Sequence, residues 1–120
     1  MSKIYAFDLD DTLCTRPENL EHLGPNKYKY CSPIISMIEM VNKLYSDGNT
    51  IYIYTARGMG QFKGDMNKVY AELYVLTLES LKEWGINHHG LIMGKLHYDF
   101  LIDDKALSIK DFENYMGNIK

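Results

Sequence analysis

Short apolar runs rich in β-forming residues, each followed at once by polar residues, constrain what this chain of 120 residues can fold into. Stretches with helical periodicity separate most of the runs. Strands joined by helices predict a parallel sheet with right-handed crossovers. We therefore expect an α/β fold, three-layered and Rossmann-like, with a mostly parallel central sheet. The predicted strands are residues 4–7, 50–54, 91–93 and 100–102.

Three segments carry signals for helices. Ser32 is suited to cap a helix and Pro33 to occupy its first turn, and apolar residues then recur at helical spacing up to a glycine. Residues 66–84 have the periodicity of a second helix. Ser108 and Asp111 form a capping-box pattern that predicts a last helix near the end of the chain.

Length and composition favour a single domain over residues 1–120, with no separate cap domain. The polar stretch 14–32 reads as a loop that serves as a small flap. Cys14 and Cys31 are too few and too far apart in sequence for a disulfide framework or a metal knuckle, so we expect a reduced, cytoplasmic protein. The net charge of −3 and the lack of a long apolar run predict no nucleic-acid partner and no membrane segment.

Polar groups that suit catalysis stand directly after all four predicted strands. The carboxyl ends of parallel strands meet at one edge of a sheet, where α/β proteins bind ligands. Each residue taken alone has an ordinary explanation as a turn or cap residue. Their joint order favours a site that combines carboxylates, a hydroxyl and a cation. The residues are Asp8 and Asp10, then Thr55, then Lys95, and last Asp103 with Asp104.

These segments resemble a known superfamily. The strings YAFDLDDTL, IYIYTAR, GK and FLIDDKA resemble, in order, the four motifs of the haloacid dehalogenase superfamily, and they span residues 4–107. The stretch from TARGMGQFKG to DFLIDDKALSIKDF is similar to a subgroup known as capsule-biosynthesis phosphatases. The resemblance implies a magnesium-dependent phosphomonoester hydrolase, acting on a sugar phosphate or a surface-polysaccharide precursor.

The resemblance also implies a role for each residue. Asp8 is expected to be the nucleophile that forms an aspartyl-phosphate, and Asp10 the acid and base that serves the leaving oxygen and then the attacking water. Thr55 is expected to bind a phosphoryl oxygen. Lys95 is expected to balance the charge of the phosphorylated state. Successive backbone N–H groups after Asp8 are expected to form an anion-binding nest.

Mg²⁺ is the implied cofactor because it prefers carboxylate and carbonyl oxygens. Its expected ligands are the Asp8 side chain, the Asp10 carbonyl, and Asp103 with Asp104 close by. Lys95 departs from the usual pattern, since Leu96 follows it where proline is common and it precedes Asp103 by only eight positions. The alternative cations are Lys63 and Lys105.

Other interpretations stay open at this stage. A receiver-type signalling domain also combines an acidic pair, a phospho-accepting aspartate, a threonine and a lysine, but in a different order along the chain. A catalytically inactive scaffold used for binding is a further alternative. Arg57 and Lys63 either contact the substrate or are solvated, and the run Lys27-Tyr28-Lys29-Tyr30 either binds an anionic or sugar substrate or is a charged loop anchored by its tyrosines. An uncapped site would accept bulky or polymer-end phosphomonoesters, or take a lid from a second subunit, so a homo-oligomer is also a hypothesis.

Overall fold

A computed structural model describes residues 2–119 of the chain. These residues form five β-strands, arranged in two sheets, and three α-helices. A segment of 3₁₀ turns lies in the first long connection. Within residues 2–119, no helix has both the length and the apolar character that crossing a bilayer requires. The elements are β1 (Ile4–Phe7), β2 (Cys14–Thr15), the 3₁₀ segment (Glu21–Tyr30), β3 (Ser32–Pro33), α1 (Ile35–Ser46), β4 (Thr50–Thr55), α2 (Met66–Glu83), β5 (Gly90–Met93) and α3 (Ile109–Asn118).

The main sheet has three parallel strands in the order β1-β4-β5. In the register, Ile53 lies between Phe7 of β1 and Leu91 of β5. The central strand β4 is rich in β-branched and aromatic residues, and its Ile51 and Ile53 are fully buried, as expected for a parallel strand flanked on both sides. The predicted α/β, Rossmann-like fold with a parallel sheet is confirmed.

One face of the sheet carries the core. Helix α1 buries the apolar stripe from Met37 to Leu44, and α2 buries a matching stripe that includes Leu73. Helix α3 joins them by packing Phe112 edge-on against Phe7, with ring centroids 5.2 Å apart. The alternate side chains of the strands are more exposed, as Ile4 at 75% illustrates. Burial of the sheet face that the helices cover therefore supplies most of the hydrophobic stabilisation.

The predicted start of the first helix is wrong. Ser32 and Pro33 form strand β3, which pairs antiparallel with β2, and α1 begins at Ile35 without a side-chain cap. The pairing with β2 holds these two residues in an extended conformation. By contrast, the Ser108 hydroxyl accepts a hydrogen bond from the Asp111 backbone N–H at 3.1 Å, so the predicted start of α3 is confirmed.

The predicted fourth strand, residues 100–102, is also absent from the described part of the chain. Phe100 and Ile102 are 84% and 91% exposed, and no strand among residues 2–119 pairs with the outer edge of β1. Residues 91–93, a run of the same length, form a strand because Leu91 and Met93 are buried beside β4, whereas residues 100–102 are all exposed. The flap prediction for residues 14–32 needs a smaller correction, because the loop contains β2, the 3₁₀ segment and β3.

Candidate active site

Asp8 and Lys95 meet at the carboxyl edge of the sheet. Asp8 directly follows β1, and Lys95 lies just beyond β5, where its backbone N–H donates to the Thr55 carbonyl oxygen at 3.1 Å. Lys95 Nζ lies 3.7 Å from Asp8 Oδ2. The parallel sheet thus brings together two residues that are far apart in sequence, as predicted.

The environment of Asp8 favours a reactive carboxylate. Burial raises its pKa above the ordinary value, and the Leu9 N–H, which donates to Asp8 Oδ1 at 2.8 Å, and the charge of Lys95 oppose this rise without cancelling it. The Asp8 side chain remains 39% exposed, whereas that of Lys95 is only 14% exposed. The carboxylate is therefore partly desolvated, with an accessible side and a fixed cation beside it.

Thr55 lies at the end of β4, between the two neighbouring strands. It is 1% exposed, and its hydroxyl accepts a hydrogen bond from the Arg57 backbone N–H at 3.1 Å. The hydroxyl proton has no role in that bond and stays available to an acceptor. Thr55 therefore occupies the predicted strand end, although its hydroxyl first serves the turn that leads to Arg57.

The Asp10 carboxylate binds Arg57, a partner that the sequence analysis did not assign to it. Arg57 Nε lies 3.0 Å from Asp10 Oδ2, and Arg57 Nη2 lies 3.0 Å from Asp10 Oδ1, so the two side chains form a bidentate pair. The Arg57 side chain is 0% exposed and that of Asp10 is 13% exposed. Burial opposes the charge of Arg57, but the hydrogen bonds and charge of Asp10 outweigh it and raise the guanidinium pKa. The interpretation of Arg57 as a solvated residue is therefore wrong.

Two other elements, α2 and the 3₁₀ segment, hold Arg57 in place. Its Nη1 donates to the Thr77 hydroxyl of α2 at 3.2 Å, and its guanidinium carbon lies 4.5 Å from the centre of the Tyr28 ring. Gly58 follows at a φ of +79°, where a β-carbon would meet Leu73 at 2.5 Å. This glycine permits the sharp turn that leaves Arg57 inside the protein. In the sequence, Arg57 is marked only by its place two residues after Thr55, which follows a predicted strand.

Cys14 and Cys31 also meet at the Asp10–Arg57 pair, so their separation in sequence was misleading. Both thiols are buried, and ligand atoms of Asp10, Cys14 and Cys31 lie within 4.8 Å of one another. Such a group could hold a metal ion, but Arg57 Nη2 lies 3.5 Å from Cys31 Sγ and 3.9 Å from Cys14 Sγ. The guanidinium already supplies the positive charge there, and thiols are poor ligands for Mg²⁺.

Asp103 and Asp104 are exposed in the loop that replaces the predicted fourth strand. The Asp103 carboxylate accepts the Lys105 backbone N–H at 2.9 Å, and this hydrogen bond lowers its pKa. Among residues 2–119, no ion pair or hydrogen bond links either aspartate to Asp8. The structure therefore leaves the second acidic pair outside the cluster formed by the other predicted residues.

Most of the backbone N–H groups that were predicted to form an anion-binding nest already donate hydrogen bonds within the turn after β1. The N–H of Leu9 donates to Asp8, that of Asp11 donates to the Cys14 carbonyl oxygen at 2.7 Å, and that of Thr12 donates to the Leu9 carbonyl oxygen at 3.2 Å. These bonds close a tight turn, so the nest prediction is wrong for these three groups. The same turn directs Asp8 and Asp10 to different partners.

A groove of about 830 Å³ opens beside Asp8 along the outer edge of β1. Lys95, Tyr98 and Lys105 line the groove together with Asp8, so two of the predicted cations face it. Leu101 also lines it, and Asp103 and Asp104 lie between Leu101 and Lys105 in the chain. The alternative cation Lys63 lies in the exposed turn before α2 and does not line the groove.

Comparison with known proteins gives one solved structure of similar fold. The chain superposes with a TM-score of 0.77 on the crystal structure of an MCSG target protein from Vibrio cholerae, with 27% sequence identity. The likeness covers 93% of this chain and 87% of the other, and the description of that protein names no activity. No protein-family model matches the chain, and no curated protein matches it.

Proposed function

We propose that the chain is a magnesium-dependent phosphomonoester hydrolase of the uncapped haloacid dehalogenase type, with Asp8 as its nucleophile. One observation carries the proposal: the partly desolvated Asp8 carboxylate ends the first strand 3.7 Å from Lys95 and opens onto a groove of about 830 Å³. A carboxylate with an accessible side, beside a fixed cation, suits attack on a dianionic phosphate. The order of the sequence motifs, which resembles that of the haloacid dehalogenase superfamily, supports the same proposal.

The proposed reaction has two steps. In the first, an Asp8 oxygen forms a bond to phosphorus while the ester P–O bond breaks, and Asp10 gives a proton to the leaving oxygen. In the second, water attacks phosphorus, Asp10 takes its proton, and the bond from phosphorus to Asp8 breaks. Lys95 stabilises the phosphoryl charge in both steps, and the Thr55 hydroxyl donates to a phosphoryl oxygen.

Mg²⁺ would neutralise phosphoryl charge and permit close approach of the two anions. The donors that fit it are the Asp8 carboxylate and the Asp10 backbone carbonyl, both hard oxygen ligands on the turn after β1. The resemblance adds an oxygen of Asp103 or Asp104, whose carboxylates lie outside the cluster around Asp8 but whose segment flanks the groove at Leu101 and Lys105. Asp103→Asn and Asp104→Asn, compared one at a time, distinguish the direct ligand from its neighbour by their Mg²⁺ requirement.

The groove suggests the class of substrate. Tyr5, Tyr98 and Tyr115 line it, and the hydroxyls of Tyr5 and Tyr115 are hydrogen-bonded at 2.7 Å. Aromatic rings beside hydroxyl groups suit the mixed polar and apolar surface of a sugar. A sugar phosphate or the phosphorylated end of a surface polysaccharide is thus the proposed substrate.

The test is phosphate release from para-nitrophenyl phosphate with Mg²⁺, with and without EDTA. We expect the wild type to turn over only with Mg²⁺ and Asp8→Asn to lose all measurable activity. Asp47→Asn is the matched control, because Asp47 pairs with Lys43 on the surface of α1 and should leave the rate unchanged. Full activity in Asp8→Asn would exclude the assigned nucleophile. A long-lived phosphoprotein without turnover would favour the receiver-type alternative.

A further inference from the structure

The bidentate pair between Arg57 and Asp10 has no role in the reaction described so far. We propose that Arg57 is a positioning residue that holds the Asp10 carboxylate in the orientation needed for proton transfer. The inference rests on the proposed function, because it explains how Asp10, the acid and base of that reaction, is held in its orientation. Its basis is geometric: two N–H groups of one planar guanidinium bind two oxygens of one carboxylate.

Two hydrogen bonds from Arg57 fix the orientation of the Asp10 carboxylate, which a single hydrogen bond would leave free to rotate. A single hydrogen bond allows the Asp10 carboxylate to rotate about its terminal torsion, which has a broad energy profile. Binding of Nε to Oδ2 and of Nη2 to Oδ1 removes that rotation. Oδ1 is also approached by the thiols of Cys14 at 3.5 Å and Cys31 at 3.8 Å, whereas Oδ2 has Arg57 as its hydrogen-bond donor. Oδ2 therefore keeps a lone pair with which to exchange a proton.

Its own contacts fix the Arg57 side chain, so that it can hold the Asp10 carboxylate in one orientation. Its side chain is fully buried, Thr77 accepts from its Nη1, and Tyr28 covers the face of its guanidinium. Every nitrogen of the guanidinium already donates to Asp10, Thr77 or a buried thiol, and this argues against the simpler role of a cation that binds the phosphate directly. Arg57 is thus placed to act on the chemistry only through Asp10.

The test compares two substrates that differ in their need for an acid. Phenyl phosphate has a poor leaving group and depends on proton donation, whereas para-nitrophenyl phosphate depends on it much less. We expect Arg57→Met to lower kcat/KM for phenyl phosphate roughly 10- to 100-fold, the cost of a misplaced catalytic group. The loss with para-nitrophenyl phosphate should be far smaller, and Arg57→Lys should recover part of the activity.

The ratio of the two kcat/KM values does not depend on the fraction of protein that is folded, so a destabilised variant still gives a valid answer. Arg16→Met is the matched control, since Arg16 pairs with Asp11 at an exposed position, and its ratio should equal that of the wild type. In an Asp10→Asn background, Arg57→Met should cause no further loss.

Each result decides the matter. Equal losses on both substrates, or an additive loss in the double variant, would show a merely structural role and overturn the inference while the proposed function stands. A wild type that hydrolyses neither substrate with Mg²⁺ would overturn the proposed function and this inference together. Selective loss on phenyl phosphate with non-additivity supports both.

Discussion

At the scale of single residues, Asp8 shows a conflict between stability and chemistry. Folding removes much of the water around its carboxylate, and this desolvation raises its pKa despite the nearby Lys95 and the Leu9 N–H. The ionised carboxylate is therefore solvated less well in the folded state than in the unfolded state. Such a cost is common at sites whose chemistry needs a poorly solvated anion.

Under the proposed mechanism, Lys95 should set the pH range in which Asp8 attacks phosphorus. The charge of Lys95 lowers the Asp8 pKa, so Lys95→Met should raise that pKa further above its ordinary value. Because only the ionised carboxylate is a nucleophile, the acidic limb of the kcat/KM profile should move to higher pH. The plateau should also fall by about 100-fold, as when one charge-stabilising donor is lost. Profiles at several Mg²⁺ concentrations, extrapolated to zero Mg²⁺, measure the shift of the acidic limb, and the profile at saturating Mg²⁺ measures the fall of the plateau.

Lys43→Met is the control for this experiment, because Lys43 pairs with Asp47 on the exposed face of α1. Its profile should match that of the wild type. If the acidic limb of Lys95→Met stayed in place, a group other than Asp8 would control that limb.

The residues differ in how well the sequence predicts their partners. The meeting of Asp8 with Lys95 follows from strand order alone, since the ends of parallel strands share one edge. The pairing of Asp10 with Arg57 does not, because it depends on the tight turn after Leu9 and on the path of the chain through Gly58. Tertiary contacts of this kind have no periodic signature in the sequence.

At the scale of elements, burial separates the strand predictions that hold from the one that fails. Residues 50–55 form a strand of six residues that is paired on both sides. Residues 100–102 have similar side chains but are all exposed and form no strand, whereas the edge strand β5 buries Leu91 and Met93 beside β4. Local propensity is a weak guide for strands because it measures fit to a half-buried surface, which the sequence does not display.

The exposed segment gives a test of the fold at this scale. Ile102 is 91% exposed, so Ile102→Lys should change the free energy of unfolding by no more than about 0.5 kcal/mol. Ile53 is fully buried in β4, and Ile53→Ala should cost about 2–5 kcal/mol. Urea denaturation of the two variants measures both values. A loss of several kcal/mol in Ile102→Lys would mean that residues 100–102 are buried in solution, as a fourth strand would require.

At the scale of the whole molecule, the fold accounts for where a site can form but not for what it does. The likeness to the Vibrio cholerae structure extends over 93% of this chain, and it establishes the arrangement of elements. One scaffold can serve many chemistries, so activity must be argued from the groups at the carboxyl edge. Those groups are Asp8, Lys95 and Thr55, with Asp10 and Arg57 behind them.

A last prediction links that edge to the stability of the entire chain. Because the Asp8 pKa is raised on folding, its contribution to stability is full below its unfolded value and is lost as the pH rises through the folded value. Without Mg²⁺ at pH 7, Asp8→Asn should therefore have a higher Tm than the wild type, and the gap should narrow as the pH is lowered towards the range in which Asp8 is protonated.

Mg²⁺ should reverse that order by binding the folded wild type. At a concentration about 100 times its Kd, a bound ion adds about 2.7 kcal/mol to the free energy of unfolding, so the wild-type Tm should rise with Mg²⁺ while that of Asp8→Asn stays fixed. Asp47→Asn should respond like the wild type, because its carboxylate lies on the surface of α1. Thermal melts with and without the ion measure this difference without any substrate. An equal response in all three proteins would place Mg²⁺ away from Asp8.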